Sequence, residues 1–287
     1  MFKKCLIIFM LVIFVLPLCG CYVSEGIEAL AYAVAIGIDK GENSDYKLTI
    51  QFPLFSNNGS KKDSSSQSNS STIVSVECST IENGISLIDS YISKKVNLSH
   101  CKVIILSEEL AYDGLSKCLF PLVNNIEIRP DCNIIISRCN AVDFLKYSKP
   151  TLESVSARYY EFIFNSSEYT AYTQDLYLSD FYSDLINTSS QAAAILGGIN
   201  TKSTHTSGSS QTALDGEYKV AETPIDAENH VETMGLAVFR GDTLVGELNN
   251  IETLCHLLVT NKFKNATITI PNPYNFKSNV SLYLRNE

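Results

Sequence analysis

Cys101-Lys102-Val103-Ile104-Ile105-Leu106-Ser107-Glu108-Glu109 passes from a short apolar run directly into a pair of acids. The β-branched run predicts a buried strand over 101–106. The acids predict a helix starting at once, because carboxylates are favoured at the positive end of a helix dipole. The same alternation extends on both sides. Upstream, Ile73, Val74 and Val76 predict a strand over 72–78, and Ser79-Thr80-Ile81-Glu82 has the form of a capping box. The helix it opens carries Ile81, Ile85, Ile88, Tyr91, Ile92 and Val96 on one face. Downstream, Arg129-Pro130 closes a connection, residues 133–137 read as a strand, and Asn140 caps a short helix through Lys146. Residues 72–146 therefore run β-α-β-α-β-α, an α/β unit.

Further out, residues 30–39 read as one strand. Leu48, Ile50 and Phe52 alternate with polar residues, the period of a half-buried strand, and pair with it around Gly41-Glu42-Asn43-Ser44. Residues 56–72 are Ser-, Asn- and Lys-rich and have too little apolar surface to bury, so a disordered loop is expected there. Residues 151–189 read as helices, with tyrosines as core and rim. Ala192–Leu196 reads as a strand, Thr201–Gln211 as a flexible linker and 216–221 as an edge strand. Residues 235–247 form a hairpin turning at Gly241-Asp242. Asn249 or Asn250 caps a helix, and strands follow over 266–270 and 279–284. The fold class is α+β or mixed α/β: a multi-domain ectodomain with mixed sheets flanked by helices. Its expected parts are 21–196, a connection over 197–228, and a second α/β domain over 229–287.

The N-terminus reads as a lipoprotein signal over 1–20. Lys3 and Lys4 precede an uncharged apolar stretch, Cys5–Leu18. That is short of the ~20 residues needed to span a bilayer, and it fits the apolar region of a signal peptide. Leu18-Cys19-Gly20-Cys21 closes it as a lipobox, with Cys21 the expected lipid-attachment residue. Two acyl chains give stable anchoring where one does not. Without Lys3 and Lys4 the chain keeps 20 of its 22 basic residues against 31 acidic ones. So acidic a body does not suit nucleic acid, whose affinity comes from Lys and Arg.

Beyond Cys21 lie Cys78, Cys101, Cys118, Cys132, Cys139 and Cys255. None forms a CxxC pair. Buried small hydrophobes are the preferred reading, with disulfides left open, and no zinc-ligand spacing is present. The catalytic inventory is thin. No phosphate loop, dinucleotide fingerprint or nucleophile elbow occurs. His100, His230 and His256 read as structural hydrogen-bonders, and Asp39 and Glu108-Glu109 as turn and dipole residues. No catalytic residue, cofactor or metal is expected.

Three stretches together resemble the Ger(x)C family, the C-subunit lipoproteins of spore germinant receptors. The first is Gly20-Cys21-Tyr22, then Ile27, Leu30-Ala31 and Ile36-Gly37-Ile38-Asp39. The second is His100–Ala111, followed by Glu127-Ile128-Arg129. The third is Gly235–Leu248, followed by Glu252-Thr253. The family usually has tryptophan where Tyr22 stands and favours glutamate where Gly26 stands. Its members continue into a further α/β domain, and this sequence stops near where that domain begins. The resemblance implies a non-enzymatic accessory subunit. Its partners would be two polytopic membrane subunits, and its place the outer face of the spore inner membrane. The alternative function is an extracytoplasmic solute-binding lipoprotein. A surface hydrolase is a third.

Overall fold

The computed structural model describes residues 2–15, 26–54, 71–150, 152–153, 155–200 and 217–286. The N-terminal run forms α1 (Phe2–Val15), 14 residues long. Among the described residues, no helix is long and apolar enough to cross a membrane. Cys21 and the lipobox lie outside the described residues, as do 56–70 of the expected loop and the expected linker 201–211.

The strands before the α/β unit are β1 (Leu30–Tyr32), β2 (Ala35–Lys40), β3 (Tyr46–Pro53) and β4 (Ser71–Cys78). The strand expected over 30–39 is thus two strands. The Ala33 N–H donates to the Asn97 carbonyl and the Val34 N–H to the Gln51 carbonyl, both at 2.9 Å. The chain changes partner between these residues. β1 pairs in parallel with β5 (Lys95–Asn97), and β2 enters the main sheet beside β3.

Between β4 and β5 lies α2 (Ile81–Tyr91). Its N-cap is Thr80, whose Oγ1 accepts from the Asn83 N–H at 3.2 Å, one residue later than the expected box. The helix also ends before Val96. The Asp89 carboxylate accepts the Val96 N–H at 2.7 Å and turns the chain into β5.

The remaining strands of the main sheet are β6 (Val103–Ser107), β7 (Asn133–Ser137), β8 (Ala193–Ile199), β9 (Val231–Arg240) and β10 (Thr243–Leu248). Eight strands run in the order β10-β9-β8-β7-β6-β2-β3-β4. β2, β6, β7 and β8 are mutually parallel, and each side is finished by antiparallel strands. Every residue of β6 and β7 is buried, as in parallel sheets covered on both faces. Ile104, Leu106, Ile134 and Ile136 face one core, and Val103, Ile105 and Ile135 the other.

α3 (Glu108–Asp113), α4 (Ser116–Val123) and α8 (Leu178–Ile186) join α2 on the first face. α5 (Ala141–Tyr147) and α6 (Ser156–Phe162) cover the second. Tyr160 is buried there and donates to Gln51 Oε1 at 2.9 Å, while Tyr169 is exposed. That is the core-and-rim split expected of the tyrosines. Each fully buried aliphatic side chain contributes roughly 1.5–3 kcal/mol, so these two layers are the main source of stability.

α7 (Ser167–Thr170) precedes α8 in the chain. α9 (Asn250–Val259) begins with a complete capping box between Asn249 and Glu252. It packs Leu254 and Leu257 against Ala171 and Ala266, beside a two-stranded hairpin of β11 (Asn265–Asn272) and β12 (Asn275–Arg285). Residues 217–221 form no strand, contrary to the expected edge. The expected division between 196 and 229 does not interrupt the sheet, because β8 on one side pairs with β9 on the other.

Candidate functional site

The carboxyl ends of β2, β6 and β7 point the same way, since the three are parallel. In open α/β sheets that edge is where ligands and functional groups collect. Here it gathers Lys40, Ser107, Glu108, Arg138 and Cys139, with Asp39 just inside it.

Asp39 is 4 % exposed. Its two carboxylate oxygens accept the N–H groups of Ala141, at 2.6 Å, and Val142, at 3.1 Å. These are the first residues of α5. Asn140, the expected cap, makes no side-chain cap bond. The carboxylate that satisfies the helix start comes from another strand, 102 residues away in sequence. Burial pushes the Asp39 carboxyl above its ordinary value of 3.8, against the two donors that favour its charged form.

Ser107 caps α3, its Oγ accepting the Leu110 N–H at 3.4 Å. Glu108 accepts from the Tyr112 hydroxyl at 3.1 Å. Glu109 and Asp113 both reach Lys40, at 3.8 and 2.7 Å. Arg138 grips Glu247 with a two-pronged ion pair. Its Nε donates to Oε2 at 3.0 Å, and its NH2 group makes a shorter bond to the same carboxylate. A third donor, NH1, reaches the Val220 carbonyl at 3.1 Å. Glu247 holds the guanidinium above its ordinary pKa.

The turn between β9 and β10 reaches the same region. The Asp242 carbonyl accepts the Leu115 N–H at 3.0 Å, and its Oδ2 accepts the Ser116 N–H at 3.4 Å. Lys40, directly after the first of the three quoted stretches, meets Glu109 of the second, and Asp242 of the third meets Leu115 and Ser116, a few residues beyond the second. The acids are consumed by helix starts and ion pairs. Chemically, the arrangement fixes elements to one another and presents a charged rim.

The histidines are not brought together. His100 lies edge-on to Tyr32 at 4.6 Å and meets Ser99 Oγ through Nδ1. His230 meets the Asn200 carbonyl at 3.1 Å and the Tyr147 ring. His256 lies in the last turn of α9. Among the described residues, no group of three or more His, Cys, Asp or Glu side chains is arranged to hold a metal ion. Arg138 was not singled out by sequence. Its signal was there: it directly follows the apolar strand 133–137, at the edge where a parallel sheet places its functional groups.

Comparison with known proteins covers the three stretches from residue 24 onward with two family models. The family described as "Spore germination protein N-terminal domain" matches residues 24–201, and that described as "Spore germination B3/ GerAC like, C-terminal" matches 234–287. The chain belongs to the Ger(x)C family of spore germination proteins. Among Ger(x)C relatives, the putative spore germination protein YfkR of Bacillus subtilis (strain 168) is 24 % identical over 259 residues, covering 89 % of this chain and 61 % of YfkR. Spore germination protein B3 of the same organism is 30 % identical over 138 residues, 47 % of this chain and 35 % of B3. Spore germination protein KC, also from that strain, is 25 % identical over 154 residues, 52 % of this chain and 38 % of KC. The crystal structure of the GerBC protein aligns over 92 % of this chain and 65 % of its own, with 15 % identity and a TM-score of 0.38. This Ger(x)C chain thus spans less than two thirds of each of these relatives.

Proposed function

We propose that this protein is the lipid-anchored accessory subunit of a nutrient germinant receptor. In this reading it acts in spore germination by docking its folded body against two polytopic membrane subunits. One observation carries the reading: both Ger(x)C regions match in order, directly behind a short apolar helix and Leu18-Cys19-Gly20-Cys21. Cys21 receives the lipid, on the outer face of the cytoplasmic (spore inner) membrane. Only a few residues separate it from β1, so the body sits close to the bilayer.

No catalytic role is assigned. His100, His230 and His256 sit on separate elements and are not brought together into one set, whereas a nucleophile and its activating base need to lie within hydrogen-bond reach. The continuous sheet argues for a docking body over a solute-binding one. A solute-binding lipoprotein closes a cleft between two domains, whereas here β8 and β9 pair across the expected division.

The test is Cys21→Ala in the full chain. The wild-type chain should incorporate a labelled fatty acid, sediment with membranes and co-purify in detergent with two polytopic proteins. The variant should lose the label and leave the membrane fraction or remain unprocessed. A variant that stays membrane-bound and supports nutrient germination overturns the proposal.

A further inference from the structure

Cys101 and Cys132 stand at the starts of two neighbouring parallel strands. Val103 of β6 lies opposite Asn133 of β7, and the Asn133 N–H donates to the Lys102 carbonyl at 3.0 Å. Cys132 therefore lies one residue off Cys101 across the ladder. With strands ~4.8 Å apart and a residue step of ~3.3 Å, the two Cα atoms lie about 6 Å apart, within the range that disulfides bridge. Cys101 lies just before the regular strand, and its side chain turns into the same core as that of Cys132. Both are buried. The Cys132 thiol is directed at Cys101 Sγ, 3.7 Å away. The Cys101 thiol donates to the Val103 carbonyl at 3.4 Å, as the Cys118 thiol does to the Leu115 carbonyl. What sets the pair apart from Cys118, Cys139, which meets Ser137 Oγ, and the exposed Cys255 is that its two sulfurs face one another.

We propose that Cys101 and Cys132 are a disulfide-forming site, closed by a disulfide-bearing oxidant such as oxidised glutathione or a thiol-disulfide oxidoreductase. The sulfurs must approach by ~1.7 Å to reach bonding distance, a movement within reach of side-chain rotation. Attack requires local opening at the Cys101 end: Cys101 is only 2 % exposed, and this residue, unlike Cys132, borders a cavity of about 370 Å³ together with Ser99, His100, Lys102, Arg129 and Tyr177. The Cys101 thiolate attacks one sulfur of the oxidant, forming a mixed disulfide and releasing one thiolate. Cys132 then gives up its proton and displaces the second thiolate from Cys101. In sum, two protein thiols become one disulfide, and their two protons pass to the two thiols of the reduced oxidant. Burial holds the Cys132 thiol well above its usual pKa. The bond closes the loop that carries α3 and α4, tying the ends of that unit together.

The test is mapping of the full chain after equilibration with oxidised glutathione. The protein is unfolded in maleimide and digested without reductant. One linked species joining the Cys101 and Cys132 peptides is expected, lost on reduction, with neither cysteine labelled. Reduction should lower the thermal midpoint of the oxidised chain by about 6 °C, as expected for a loop and a chain of these lengths. The Cys101→Ala/Cys132→Ala chain should show no such reduction-dependent shift. Maleimide on both cysteines of the oxidised wild type overturns the proposal. So does a link between another pair, or a glutathione adduct on Cys101 with no link. The mapping uses the wild-type chain, so it decides even if the double variant misfolds. It is done on purified protein and does not depend on the lipid at Cys21.

Discussion

Asp39 shows how much one buried carboxylate can be asked to do. It closes β2 and fills the orphan donors at the start of α5, a place where local sequence offers Asn140. Asp39→Ala leaves the Ala141 and Val142 N–H groups buried without an acceptor and should cost about 1–3 kcal/mol in urea unfolding. Asp39→Asn keeps one acceptor and should cost less. The pH dependence separates the charge from the cap. The folded pKa lies above the ordinary 3.8, so the folded state holds the proton more tightly. The contribution of Asp39 is therefore fully present below 3.8, falls as pH rises through the raised value, and is level above it. The stability difference between wild type and Asp39→Asn should follow that course. A difference that instead grows as pH rises through that window would mean that the two N–H donors outweigh burial.

Elements are joined at the sheet edge by contacts that sequence patterns only half disclose. β6 and β7 were legible because both their faces are buried, which writes a continuous apolar run into the sequence. The β9–β10 hairpin was legible from its turn and alternation. β5 was not, being three residues with one apolar side chain and with β1 as its strand partner. The break at Ala33–Val34 was equally hidden, since both partners are distant in sequence. So was the Arg138–Glu247 pair, which locks the end of β7 to β10 and spans 109 residues of sequence. Its side chains are 27 % and 18 % exposed, so water screens it less than a surface pair. A double-mutant cycle with Arg138→Met and Glu247→Gln should give a coupling of about 1–3 kcal/mol. A coupling near zero would reduce the pair to an incidental contact. Gly235, at the head of the third quoted stretch, has φ +84° and would place a Cβ 2.3 Å from the Leu248 carbonyl oxygen. Gly235→Ala should cost at least about 2 kcal/mol, because both left-handed backbone and closed space oppose it. Urea unfolding of the variant reads that cost directly.

At the scale of the whole molecule, the sheet argues against two independently stable halves. The sequence suggests a boundary, because composition shifts to small polar residues after 200 and a new alternating pattern begins near 235. The Ger(x)C matches divide at the same place, 24–201 and 234–287. Neither pattern reports long-range pairing, and β8 hydrogen-bonds to β9 across it. Leu236 and Ile195 share one core with Ile135, and Phe239 packs edge-on against Phe181 at 5.2 Å. Opening β9–β10 therefore exposes the core that β7 and β8 also need. Hydrogen exchange along a denaturant series should show amides of β6, β7, β8 and β9 opening together, with the free energy and denaturant slope of global unfolding. Among the described residues, the β11–β12 hairpin pairs its two strands with each other and packs on the small Leu254–Ala266 core, with Asn265 tied to the Glu168 carbonyl. A two-stranded sheet is marginal without further cover, so its amides should open earlier and with a smaller slope. If β9 instead loses protection together with β11–β12 while β6 and β7 remain closed, the sequence boundary is also the folding boundary. The shared sheet would then be a docking of two units.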